Sequence, residues 1–235
     1  MDDRYIRTAY LIGDAGIEKL RHASVIIFGI GGVGSYCAEA LARAGIGRLT
    51  LVDKDTVSRS NINRQIIALL STVGEHKTEV MKRRIADINP DCEVTDINTF
   101  YLPDNADSID LSGYDYIVDA VDNVSAKIEL AVRASALGVP IISCMGMGNK
   151  LHPEMLEVSD IYSTSVCPLA RVMRRELKSR GIKKLNVVYS REEPIQCRAD
   201  IDNIGDKRVP GSISFVPSAA GLLIASVICR EIVNA

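Results

Sequence analysis

Short apolar runs, each closed by glycine or aspartate, alternate along the chain with longer stretches of helical spacing. Ser24–Phe28 (SVIIF) is β-branched and apolar, stops at Gly29, and is predicted to be a buried strand. Residues 35–44 have helical spacing and end at Gly45. The run 49–52 (LTLV) is the next strand, ending at Asp53. A helix is predicted over 73–88, with Val80, Met81, Ile85 and Ile88 on its apolar face and Pro90 as its stop. Strands follow at 93–98 and at 116–121 (YIVDAV), the second ending at Asp122. Residues 127–137 are helical up to Gly138, and 139–143 (VPIIS) is the fifth strand. Strict βα alternation implies a Rossmann-like, doubly wound α/β fold: a mostly parallel sheet with helices on both faces.

After Gly146 the pattern loosens. Strands at 156–161 and 185–190 flank a helix from about 168 to 180. A loop-rich segment covers 192–210, and a closing helix covers 218–233. With no internal repeat and no low-complexity linker, the 235 residues form one domain: a nucleotide-binding core over about 22–145, and a C-terminal extension of strands and helices over about 146–235. A net charge of −2 means that any nucleic-acid surface must be local. The six cysteines (Cys37, Cys92, Cys144, Cys167, Cys197, Cys229) are scattered singly, so the usual zinc-ribbon CxxC spacing is absent. The charged N-terminus lacks a signal-peptide core, which together with the cysteine usage favours a cytoplasmic protein with reduced thiols. The apolar stretch 215–229 contains Pro217 and is shorter than the roughly 20 residues of a membrane span, so it is expected to be a buried helix.

The sequence GIGGVG at 29–34 opens a helix directly after a strand. Gly29, Gly31, Gly32 and Gly34 permit the tight turn and let backbone N–H groups approach an anion at the helix start. Asp53, at the end of the second strand, suits ribose hydroxyls. This context points to an adenine nucleotide; the competing role is a tight packing turn with a capping aspartate. The next segment separates nucleotide chemistries. Arg64 can bridge phosphates with its planar fork, and Asn61, Asn63 and Gln65 are neutral polar groups of little use to hydride transfer. Lys77 can neutralise a leaving pyrophosphate. Asp122 is the natural ligand for Mg2+ beside phosphate oxygens. Each also has an ordinary alternative: turn residues for Asn61 and Asn63, a solvated helix charge for Lys77, a helix cap for Asp122.

Taken in order, RYIR at 4–7, GIGGVGS at 29–35, Asp53 with Asp55, SNINRQ at 60–65, TVGEHK at 72–77, INP at 88–90 and DAVDN at 119–123 resemble the ubiquitin-activating-like adenylyltransferases. Within that family CMGMGNKLHP at 144–153, TSVCPLARVMRREL at 164–177, VVYSREEPI at 187–195 and PGSISFVPS at 210–218 are similar to the dehydratases that act on threonylcarbamoyladenosine in tRNA. The resemblance implies an ATP site lined by Gly32, Asp53, Asp55, Ser60 to Arg64, Lys77, Asp122 and Asn123. It also implies a homodimer in which Arg7 reaches the phosphates of the other subunit, with Arg4 as fallback; without the family, Arg7 is an ordinary surface charge. The implied reaction adenylates the threonyl carboxylate and closes a ring with loss of AMP, with Arg64, Lys77, Arg7 and Asp122 in catalytic roles. No cysteine nucleophile is required, and Cys144 and Cys167 are left open. A cysteine desulfurase or sulfur-acceptor partner also stays open.

Residues 171–184 hold seven Lys or Arg and one acid, and Arg171, Arg174, Arg175 and Lys178 recur at helical spacing, a candidate tRNA surface. Lys82, Arg83 and Arg84 form a smaller basic cluster. Two rivals remain at this level: activation of a small ubiquitin-like sulfur carrier at the same ATP site, and a non-catalytic or NAD-binding Rossmann protein, which the Asn/Arg/Gln cluster argues against.

Overall fold

Seven strands form one sheet in a computed structural model that describes residues 2–196 and 210–235. They are β1 (Ser24–Phe28), β2 (Arg48–Val52), β3 (Glu93–Ile97), β4 (Tyr116–Asp119), β5 (Ile141–Cys144), β6 (Leu156–Asp160) and β7 (Asn186–Ser190), in spatial order β3-β2-β1-β4-β5-β7-β6. Every pairing is parallel except that of β6 with β7. The helices are α1 (Ile6–His22), α2 (Gly34–Ala44), α3 (Lys77–Ile88), α4 (Val124–Leu137), α5 (Pro168–Ser179) and α6 (Phe215–Asn234).

β1 is buried along its whole length because both faces of the sheet are covered. Its residues alternate between two cores, as a period of two requires. Val25 and Ile27 pack with Leu41 of α2, Met81 of α3 and Ile224 of α6. Ile26 and Phe28 pack with Leu130 of α4 and with Tyr101 and Leu111 from the β3–β4 connection. A third core places Met173 and Leu177 of α5 against Val187 and Tyr189 of β7.

The doubly wound, mostly parallel sheet expected from sequence is present, with four local corrections. The helix predicted over 73–88 begins only at Lys77. Gly74 has φ +95°, its N–H donates to Val57 O at 2.9 Å, and Glu75 O accepts from Val57 N at 2.8 Å, so this stretch pairs with residues 56–57 instead of coiling. The strand predicted over 116–121 stops at Asp119; the chain then turns, and Asp122 lies in the β4–α4 turn, not at a strand end. Strict alternation fails between β3 and β4, which are joined through a 3₁₀ turn at Pro103–Ser108. The N-terminal helix α1 was not expected. It buries Ala9, Ile17 and Leu20, but Gly13 at φ +71° breaks it into two pieces. The loop-rich segment expected over 192–210 lies largely outside the described residues.

By length and composition α6 could cross a membrane, yet Val216, Ala220, Ile224 and Ile228 are buried within this domain and the helix packs closely on α2. A Cβ on Gly221 would lie 2.3 Å from Val33 O and 3.0 Å from Cys37 N. Gly221→Ala is therefore expected to push the two helices apart and to cost about 1–3 kcal/mol, seen as a lower denaturant midpoint with an unchanged slope.

Candidate active site

The carboxyl ends of β1, β2 and β4 carry the predicted site residues. The glycines divide into two sets. A Cβ on Gly29 (φ +88°) would lie 2.6 Å from Ala120 O, and one on Gly34 would lie 1.8 Å from Gly29 O, so both are glycine because the turn folds on itself. At Gly31 an added Cβ would meet only Gln65 Nε2 at 3.8 Å, and at Gly32 it would touch Pro217 of α6 and Arg64. Gly32 makes room for those two residues, and Gly31 keeps open the space ahead of the α2 N-terminus, where backbone N–H groups and the helix dipole favour an anion.

Asp53 supports the loop directly. Its Oδ2 accepts the Ile30 N–H at 2.7 Å and its Oδ1 accepts the Asp55 N–H at 2.8 Å. A carboxylate has further acceptor capacity beyond two bonds, so the expected ribose contact remains compatible with this second role.

Lys77 is not a solvated helix charge. It is 6% exposed, and its Nζ donates to Asp55 Oδ2 at 2.7 Å and lies 3.9 Å from Asp53 Oδ2. The downstream polar cluster is a folded turn. Asn61 Oδ1 accepts the Ser58 N–H at 3.0 Å, and Ser58 and Ser60 share a hydroxyl hydrogen bond at 2.8 Å. Asn63 donates to Ser212 O at 3.0 Å. Arg64 Nη1 donates to Ser60 O and Asn63 Oδ1, both at 2.9 Å. Gln65 is buried beside Gly31, and its Oε1 has no hydrogen-bond partner among the described residues.

On the β4 side, Asn123 caps α4, its Oδ1 accepting the Ala126 N–H at 3.0 Å. That assigns the cap to Asn123 and leaves Asp122 exposed, with no hydrogen bond or ion pair among the described residues. A buried network that sequence reasoning missed lies behind this turn: Asp119, Lys127 and Ser143 are all at most 1% exposed. The only signal in the sequence was a lysine in the first turn of a helix that follows an aspartate-bearing apolar strand.

Arg7 is exposed on α1 and has no partner among the described residues, whereas Arg4 is held by Asp2 and Asp91. Tyr5 sits between the Arg4 and Arg21 guanidinium groups and against Gly45, just before β2. Arg7 thus starts from the amino edge of the sheet, opposite the glycine loop of its own chain.

Cys144 and Cys167 are both buried. Burial pushes the Cys144 thiol up to about 12, so it carries almost no thiolate at neutral pH, and burial raises Cys37 as well.

Among the basic residues, Arg171, Arg175 and Lys178 are exposed on α5. Arg174 is half-buried and donates to Thr164 O at 3.0 Å, bracing the loop before α5. The second basic cluster is neutralised within the fold: Lys82 pairs with Asp96, Arg83 with Glu75 and Arg84 with Glu39.

The ThiF family profile matches residues 3–233. The chain is 42% identical over 241 residues to the tRNA threonylcarbamoyladenosine dehydratase of Bacillus subtilis (strain 168), covering 98% of this chain and 95% of that protein. It is similar to the crystal structure of the E. coli tRNA N6-threonylcarbamoyladenosine dehydratase in complex with AMP, with a TM-score of 0.91 and 36% identity over 98% of this chain and 94% of that one; the ATP complex gives 0.88 and 35% over the same shares. The molybdopterin-synthase adenylyltransferase of Salmonella typhimurium is 39% identical over 142 residues, 60% of this chain and 57% of that protein.

Proposed function

The chain belongs to the ThiF family, and we propose that it is an ATP-dependent tRNA threonylcarbamoyladenosine dehydratase. One observation carries the choice between acceptors. The similarity to dehydratases runs through α5, β7 and α6, while the match to a sulfur-carrier adenylyltransferase covers only 60% of the chain. The ATP site would serve either acceptor, so the C-terminal extension, which the match to the Bacillus subtilis dehydratase includes, carries the choice.

In the reaction, an oxygen of the threonyl carboxylate attacks the α-phosphorus of ATP, and the bond to the bridging oxygen breaks to release pyrophosphate. The carbamoyl group then attacks the activated carbonyl, loses a proton, and expels AMP as the ring closes. The tRNA loses one water in net terms, and no sulfur donor enters the balance. Positioning and charge stabilisation suffice. The glycine loop and the α2 N-terminus hold phosphates, Lys77 supplies a fixed compact cation, and Arg64, whose stem lies beside Gly32, supplies a guanidinium fork.

Among the described residues no three acidic, His or Cys side chains are grouped to hold a metal by themselves. The exposed, unpartnered Asp122 fits Mg2+, which takes one or two carboxylates and completes its shell with phosphate oxygens and water. Bound there, Mg2+ would offset phosphate charge. Arg7, remote from its own glycine loop, serves the site of a second copy in a homodimer. A cytoplasmic setting, where ATP and tRNA are both present, fits this reading.

The exposed cations of α5 suit the tRNA backbone. Replacing Arg171, Arg175 and Lys178 with Gln is expected to weaken tRNA binding and to lower the salt dependence by roughly one counterion per lost phosphate contact, with ATP affinity unchanged. Arg174→Gln should act on stability instead, since Arg174 braces Thr164. Filter binding over a salt series measures the first effect and a melting curve the second.

The deciding experiment follows ATP conversion to AMP and pyrophosphate with and without tRNA bearing threonylcarbamoyladenosine, then weighs the nucleoside. AMP release with loss of one water from the nucleoside supports the dehydratase reading. ATP binding without tRNA-dependent turnover moves the acceptor to a ubiquitin-like protein, and no ATP binding sinks both.

A further inference from the structure

Asp119 closes β4 and Lys127 stands in the first turn of α4, both buried. Lys127 Nζ donates to Asp119 Oδ1 and Oδ2, each at 3.0 Å, and to Cys144 O at 2.7 Å. Ser143 Oγ donates to Asp119 Oδ2 from the neighbouring register position on β5. Asp119 Oδ1 also accepts the Val121 N–H at 3.3 Å.

A helix N-terminus is the unfavourable end for a cation, and withdrawing two charges from water costs most of what their attraction returns. A well-packed apolar pair would hold β4 to α4 about as firmly. What the charged pair adds is direction. Its bonds join the ends of β4 and β5 to the first turn of α4, and the segment enclosed between the two residues contains the 120–123 turn. That turn abuts the glycine loop: Ala120 N donates to Phe28 O at 2.8 Å, and Ala120 O is the atom that a Cβ on Gly29 would strike. Asp122, at its crest, has no side-chain partner among the described residues, so only the backbone sets where its carboxylate stands.

We propose that the buried Asp119–Lys127 pair, together with Ser143, is the positioning device that presents Asp122 to the nucleotide. The proposal rests on the nucleotide reading given above. Asp119, Lys127 and Ser143 are positioning residues: they act through the turn, and Asp122 is the group that meets the metal and phosphates.

The test is equilibrium binding of a non-cleavable α,β-methylene ATP analogue to the full chain, in Mg2+ and in EDTA, beside a melting curve. The wild-type chain is expected to bind more tightly in Mg2+, and Asp122→Ala to lose that gain. The double variant Asp119→Leu with Lys127→Met removes both charges and keeps side-chain volume. It should cut the magnesium-dependent gain roughly tenfold or more, as loss of supporting partners does at metal sites, with melting temperature and affinity in EDTA near wild type. Ser143→Ala keeps both charges and folds without burying a lone one; it should lose part of the gain, and it decides the matter if the double variant does not fold. An undiminished gain in these variants overturns the proposal. So does a parallel fall of melting temperature and of affinity under both conditions, which marks a purely structural pair. A wild-type chain with no magnesium-dependent gain would sink the assignment of Asp122 itself, and the positioning role with it.

Discussion

Lys77→Ala is expected to slow adenylate formation about 100- to 1,000-fold, the effect of deleting one preorganised charge or donor from a transition state. The ammonium is buried and already oriented by Asp55 and Asp53, so it needs no reorganisation when negative charge builds on the leaving pyrophosphate. Its loss leaves Asp55 half-exposed and able to take water, so the fold should survive while chemistry fails. Lys77→Arg should not restore the rate. A planar guanidinium is larger than the ammonium it replaces and directs its donors as a fork, which the narrow space between the two carboxylates does not fit. Single-turnover pyrophosphate release measures the rate, and a melting curve separates it from unfolding. Mixing Lys77→Ala chains with Arg7→Ala chains gives a sharper readout. In a two-fold dimer that shares its sites, half of the randomly mixed dimers carry one intact site each, so about a quarter of wild-type activity should return. No recovery would count against Arg7 acting across the dimer.

What the sequence revealed and what it hid follow from the range of the interactions involved. The glycine loop was legible because its constraint is local: strand, turn and helix are adjacent in the chain, and only glycine fits where Gly29 and Gly34 approach their neighbours. Lys77 was ambiguous because its segment, KTEVMKRRIADI, looks like a charged surface helix; its burial depends on Asp55, 22 residues upstream. The Asp119–Lys127 pair was hidden for the same reason, and it also displaced a boundary. Asp119 is as buried as its neighbours, so YIVDAV reads as one strand and its end is expected at Val121, two residues beyond Asp119. The basic runs 82–84 and 171–178 look alike as text. Folding brings Asp96, Glu75 and Glu39 to all three cations of the first run, whereas in the second Arg175 pairs only with its neighbour Glu176 and Arg171 and Lys178 have no ion pair among the described residues.

The glycine loop itself supplies the second large effect, as a contrast between two substitutions of one methyl group. Gly34→Ala places a Cβ 1.8 Å from Gly29 O, backbone against backbone, so the loop or the start of α2 has to move. Overpacking of this kind typically costs about 1–3 kcal/mol and more when no side chain can yield, so Gly34→Ala should lower the melting temperature and abolish nucleotide binding together. Gly31→Ala meets only the end of the Gln65 side chain at 3.8 Å, and the chain should fold with an unchanged melting temperature. The added methyl instead projects into the space that the loop keeps free ahead of α2, where a phosphate oxygen would hydrogen-bond to the backbone. ATP affinity should then fall at least tenfold, which is about 1.4 kcal/mol, less than the loss of a charge-assisted hydrogen bond. Calorimetric ATP titration of both variants beside their melting curves tests this. If Gly31→Ala bound ATP as well as the wild-type chain, the phosphates would have to lie elsewhere than over Gly31.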